Sequence, residues 1–213
     1  MTFPVIATTD VSSNTAATTH NFSLPTGTSA GDILVMMPLA IGTGTGLPAT
    51  ITGPSNWTEL ASSNQRFYSA TYDATQGTSF TTVGSATSRI QTLRITGGAS
   101  IVGATSAGSS SQPNPPSLNP SWSAALDTLW LALASQGLPG TAQVPTNYTQ
   151  SVITNFTVVI AYRIHSTYRE LAADSEDPGT FDTTNTTSWQ CATYAIEPAA
   201  AATGKRMTLL GAG

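Results

Sequence analysis

The chain has 213 residues and a net charge of -4, and only 8% of its residues are charged, against ~25% in an average soluble domain. With 39% hydrophobic residues the composition is not that of a disordered chain, and the longest apolar runs, ILVMMPLAI and LWLALA, fall well short of the ~20 residues that cross a bilayer as a helix, so membrane insertion is not expected. Seven basic residues against eleven acidic ones form no stripe that could neutralise phosphates, which argues against nucleic-acid binding, and the single cysteine, Cys191, rules out an intrachain disulfide and a thiolate metal centre.

The first ten residues, MTFPVIATTD, lack a basic region followed by a long apolar one, so no secretory signal is expected and the chain is expected to be made in a cytosol. In chain order, short β-branched and aromatic runs bounded by Gly, Pro, Asn and Ser predict strands over 3–8, 18–24, 32–40, 57–63, 66–73, 78–83, 88–96, 100–105, 127–135, 148–153, 156–165, 179–183 and 188–196. No helical periodicity precedes the tail. DILVMMPLA and DTLWLALAS are nearly continuous apolar runs, the pattern of strands covered on both faces. RIQTLRIT alternates with neither face purely apolar, which suits an edge or an interface. In FTVVIAYRI, Phe156, Val158, Ile160, Tyr162 and Ile164 form the apolar face of one expected strand. Residues 106–122, rich in Ser and Pro, read as an extended connector.

The segment GPSNWTEL recurs in degenerate form as VPTNYTQS: Pro54 matches Pro145, Asn56 matches Asn147, Trp57 matches Tyr148 and Thr58 matches Thr149. Further matches pair Asp32 with Asp127, Tyr72 with Tyr162, Gly77 with Gly179 and Ile95 with Ile196. Each copy would carry an apolar sheet face that it cannot bury alone, and packing the copies face to face buries both. The expected fold is therefore all-β, an antiparallel, jelly-roll-like β-sandwich built from two degenerate repeats. Its single domain spans 1–197, with repeats over about 12–105 and 106–197, followed by an extended tail over 198–213. In the repeated turn, proline fixes φ, asparagine can bond its own backbone, and Trp57 or Tyr148 anchors the next strand. Two equivalent sugar-binding sites would also leave a repeat, so Trp57, Trp122, Tyr148, Tyr168 and Trp189 are candidate glycan-stacking residues. Five Asn-x-Ser/Thr triplets, at Asn21, Asn56, Asn147, Asn155 and Asn185, are a number that this Ser/Thr content yields by chance.

No reaction centre is recognisable. Asp32, Glu59 and Asp127, with Asp73 and Asp182 beside them, are the carboxylates in or at the start of expected strands from which a glycosidase would need a pair across a cleft, and the matching positions of Asp32 and Asp127 favour turn hydrogen bonds instead. His20 and His165 are far apart in sequence and near no nucleophile elbow, so each reads as a surface or hydrogen-bonded histidine, and Cys191 reads as a small buried hydrophobe. The acidic segment RELAADSEDPGTFD reads as a solvated loop, with a weak cation site as its alternative. No catalytic, cofactor-binding or metal residue is assigned, and no cofactor is expected.

The pattern LPTGTSAGDILVM, GPSNWTEL, FYSATYDA, NPPSLNPSW and LDTLWLALA resembles a family of bacteriophage and prophage virion β-sandwich proteins, over about residues 12–197. Asn56 stands where that family usually has glycine. The resemblance implies a non-enzymatic structural protein of the virion, assembled in the host bacterial cytoplasm: a capsid decoration or cement protein, a head fibre, or a tail-associated protein. Its implied partners are other virion proteins of the capsid or tail and further copies of itself, a trimer among the symmetries considered. The alternative is a tail-associated or free carbohydrate-binding module that adheres to a host-surface glycan. In the tail, Lys205, Arg206, Met207, Leu209 and Leu210 are the candidate partner-docking residues, since a short extended peptide can add to a sheet edge or fill an apolar groove.

Overall fold

The computed structural model describes residues 2–62, 65–122, 126–137, 142–158 and 161–200. The described chain is all strand and loop. The first copy contributes β1 (Val5–Asn21), β2 (Ile33–Gly42), β3 (Ile51–Thr52), β4 (Thr58–Ser62), β5 (Gln65–Thr71) and β6 (Ser79–Thr96). The second contributes β7 (Gly98–Ser110), β8 (Thr128–Gly137), β9 (Ala142–Gln143), β10 (Thr149–Thr157), β11 (Ala161–Leu171), β12 (Asp182–Thr183) and β13 (Thr187–Pro198).

The strands form two antiparallel sheets, ordered β1-β6-β2-β5-β4 and β7-β13-β8-β11-β10. Replacing each strand of the first order by its counterpart in the second copy reproduces the second order, so the repeat is also a repeat of topology. The small strands differ: β3 adds to β6, whereas β9 pairs with β12. The sheets pack face to face, as expected of a β-sandwich of two repeats. Ile33, Val35, Met37, Leu93 and Ile95 of one sheet meet Leu129, Leu131, Leu133, Tyr194 and Ile196 of the other. Gln91 and Tyr162 tie the layers together with polar contacts. The Gln91 amide donates to Thr154 Oγ1 at 2.7 Å, and the Tyr162 hydroxyl donates to the Gly46 carbonyl at 2.7 Å.

Each sheet is also covered on its outer face. Met36, Tyr68, Phe80 and Ile90 lie under Phe22, Ile51 and Trp57 on one side. Trp130, Ala134, Cys191 and Ala195 lie under Leu118, Tyr148 and Phe181 on the other. The continuous apolar runs of β2 and β8 follow from this: their residues are buried on alternate faces by two different cores.

Several expected boundaries shift. The runs at 3–8 and 18–24 are one strand, β1, because β6 supplies backbone partners along most of the polar stretch between them, with register shifts near Ala16, whose φ is 40°. Residues 78–83 and 88–96 merge likewise into β6. The run 156–165 is not one strand: the chain turns after Thr157, and Phe156 lies opposite Tyr162 across the β10–β11 hairpin. Tyr72 follows the end of β5 while Tyr162 stands near the start of β11, so these two are not equivalent. Asp32 and Asp127 both precede central strands, but the inward residues begin at Ile33 in one copy and Leu129 in the other, an offset of one. The copies divide at Gly97 rather than near 105, since residues 98–110 pair with β13 and with no strand of the first sheet.

The buried histidines carry a consequence for stability. His165 is not the surface or hydrogen-bonded histidine expected: it is fully buried, stands opposite Ala134 and Ile153 and meets Phe181 edge-on at 5.5 Å, because the loop before β12 closes over it. Neither ring nitrogen has a hydrogen-bond partner in the structure. Burial, reinforced by the Arg163 charge, pushes its pKa down to about 3. The folded ring stays neutral while the unfolded ring takes up a proton below about 6.5, so stability falls as pH drops from there towards about 3, by up to ~1.4 kcal/mol per pH unit. In urea titrations across this range, His165→Phe is expected to flatten the pH dependence by close to one proton; an unchanged slope would contradict the assignment.

Candidate functional site

The repeated Pro-x-Asn-aromatic-Thr turn is the most distinctive local structure. Asn56 and Asn147 both adopt the left-handed conformation, with φ of 60° and 67°. In the second copy the Tyr148 N–H donates to the Pro145 carbonyl at 3.1 Å, which with positive φ at Asn147 makes a type II turn. Glycine suits this position because it lacks Cβ, and asparagine is the commonest substitute. In the first copy the Asn56 amide donates to the Thr75 carbonyl at 2.9 Å and the Trp57 indole N–H to the Gly77 carbonyl at 3.0 Å. The turn thus aims its aromatic residue back over the outer face of its own sheet.

The five candidate stacking residues are placed unequally. Tyr148 and Trp189 are buried, and Trp189 donates its indole N–H to Ser110 Oγ at 2.9 Å. Trp57 and Trp122 are half-buried against the outer cores, with the Trp122 indole bonded to Thr128 Oγ1 at 3.2 Å. Tyr168 is half-buried and lines an open groove between the two sheets. The fold does not bring these five into one cleft; Trp57 covers the first sheet, and Trp122, Tyr148 and Trp189 the second. The docking candidates Lys205, Arg206, Met207, Leu209 and Leu210 lie outside the described residues.

The carboxylates weighed for chemistry serve the scaffold. Asp32 accepts from Arg94 Nε at 2.7 Å and from the Ser29 N–H at 2.7 Å. Glu59 is paired with Arg66 and accepts from the Tyr68 hydroxyl at 3.2 Å. Asp127 precedes β8. The acidic segment is pinned rather than wholly solvated. Glu176 is buried, accepts from Arg169 at 2.8 Å and Tyr148 at 3.3 Å, and exchanges two backbone bonds with Leu118. No local pattern signals this burial, because Leu118 lies in a distant connector. Burial and the Glu176 charge raise the Tyr148 hydroxyl pKa well above its ordinary value. Among the described residues, no three His, Cys, Asp or Glu side chains gather as a metal would require. Burial likewise raises the Cys191 thiol, which keeps it protonated at neutral pH.

The turn geometry predicts an order of stabilities. Asn147→Ala is expected to cost roughly 1 kcal/mol through strain at positive φ. Asn56→Ala should cost more, because it also removes the bond to Thr75, while Gly at either position should cost less than Ala. Urea denaturation of the four variants checks this; Ala tolerated as well as Gly would overturn the turn assignment.

The chain matches no family model, no curated protein and no solved structure.

Proposed function

We propose that the chain is a non-enzymatic structural protein of a bacteriophage virion, a capsid decoration or head-fibre protein attached through its C-terminal segment. The observation that carries this reading is the ordered set of motifs that resembles virion sandwich proteins, LPTGTSAGDILVM, GPSNWTEL, FYSATYDA, NPPSLNPSW and LDTLWLALA. The use of those residues is consistent with a scaffold: Asp32 binds Arg94, Asn56 and Trp57 close a turn, and Thr193 bonds the Pro116 carbonyl of the connector at 2.6 Å. Low charge and two sheets each covered on both faces suit a particle component that must persist outside the cell.

Every described strand ends before residue 201, and the candidate docking residues lie beyond it. Deleting residues 201–213 is therefore expected to leave the melting temperature within a few degrees of the parent while abolishing co-sedimentation with particles. A truncated protein that binds particles normally would refute attachment through this segment. Glycan binding is the competing reading, and Tyr168 beside Gln150 and Glu170 in the groove is the observation in its favour. Calorimetric binding of a host-surface polysaccharide that is lost in Tyr168→Ala would move the assignment there.

A further inference from the structure

The topological repeat gives the sandwich two corresponding sides, one where β4 meets β7 and one where β10 lies towards β1. At the first, Leu60 of β4 packs against the inter-sheet core and reaches β7. A Cβ added to Gly103 would lie 2.8 Å from Leu60 Cδ2 and 2.6 Å from a ring carbon of Tyr194, so glycine is what allows this close approach. Leu60 stands six residues after the turn proline Pro54, and six residues after Pro145 stands Ser151. The serine is too short to fill the corresponding space. A groove of about 340 Å³ opens there, lined by Val5, Ile6, Thr8 and Thr9 of β1, Leu129 of β8, Gln150 and Ser151 of β10, and Tyr168 and Glu170 of β11. Leu129 is fully buried, whereas Val5 is 51% exposed although large and apolar. Among the described residues β1 pairs with β6 alone, so its other edge carries backbone donors and acceptors that no described strand takes up.

We infer that this groove receives residues 206–210 of a second copy of the chain, laid along the free edge of β1. The inference rests on the reading of the C-terminal segment as a docking element and names its partner. The segment is complementary to the groove. In an extended strand Met207 and Leu209 point to the same side, where Val5, Ile6 and Tyr168 are the apolar side chains of the lining. Arg206 brings positive charge to Glu170, which is exposed and has no ion pair among the described residues. The direction of the chain favours a second copy over the same one. The described chain leaves the domain where the Ala199 N–H donates to the Gly97 carbonyl at 2.8 Å, next to the Val5↔Thr96 pair that begins β1. A segment entering from that end would run parallel to β1, whereas the named strand pairings of both sheets are antiparallel. A segment from another copy can enter from the far end and pair antiparallel, the more stable arrangement. Such a contact is heterologous and propagates from copy to copy into a ring or a chain.

The test uses two full-length variants. Ser151→Leu fills the groove with the residue that closes the other side of the sandwich and leaves the C-terminal segment intact. Leu209→Asp disables the segment and leaves the groove open. By sedimentation velocity, the parent is expected to associate and each variant alone to stay monomeric, its association weakened at least tenfold. A mixture of the two variants is expected to form a 1:1 dimer and nothing larger, since each supplies one working half. Glu170→Lys is a surface change that should also weaken parent association, by about threefold to tenfold, which keeps the test decisive if Ser151→Leu folds poorly. A monomeric parent, a mixture that forms no dimer, or association unaffected by the variants would each overturn the inference. Loss of particle binding on deletion of 201–213 with no self-association would leave the proposed function standing and remove only this partner.

Discussion

The double burial of the two central strands is the constraint on which the rest of the structure depends. Strands β2 and β8 are apolar on both faces, so neither sheet can leave its outer side to water. Face-to-face packing of the copies covers the inner faces. The outer faces then need cover from the chain between strands, and the long irregular segments supply it. Residues 43–57 close over the first sheet, and the connector after β7 with the loop before β12 closes over the second. At ~1.5–3 kcal/mol for each large side chain withdrawn from water, these outer layers matter to stability as the inner one does.

This arrangement accounts for the tasks of the scarce charged and aromatic residues. Trp57 and Tyr148 leave equivalent turns and act as lids on equivalent outer faces. Glu176 enters the second lid with two partners, Arg169 and Tyr148, which offsets the cost of burying its charge. Arg94 and Asp32 hold the start of β2 beside the end of β6. Few charges remain for solvent, in keeping with a composition that is only 8% charged.

The interest of the repeat lies where the copies differ. Leucine at 60 against serine at 151 closes one side of the sandwich and leaves the other grooved. The second copy carries the acidic insertion that the first lacks, and it is this insertion that seals the outer face over Trp130 and His165. The two copies thus share a scaffold with two similar sides, which a side-chain difference at 60 and 151 and an insertion in one loop make physically distinct.

By itself the sequence determined the fold class, the two copies and the central strands, because period-two patterning, continuous apolar runs and a recurring turn are local signals carried by neighbouring residues. It also marked Pro54, Asn56, Pro145 and Asn147 as a turn, since φ preferences belong to single residues. Only the tertiary structure decided that residues 156–165 contain a hairpin end, because Phe156 and Tyr162 look alike in pattern whether they share a strand or face each other across one. The same is true of β1 and β6, whose polar middles become strand by pairing with each other. Burial of His165, Glu176, Tyr148 and Trp189, and the opening beside Ser151, depend on which distant segments come to lie over them. That is a property of packing between residues far apart in the chain, and no local pattern encodes it.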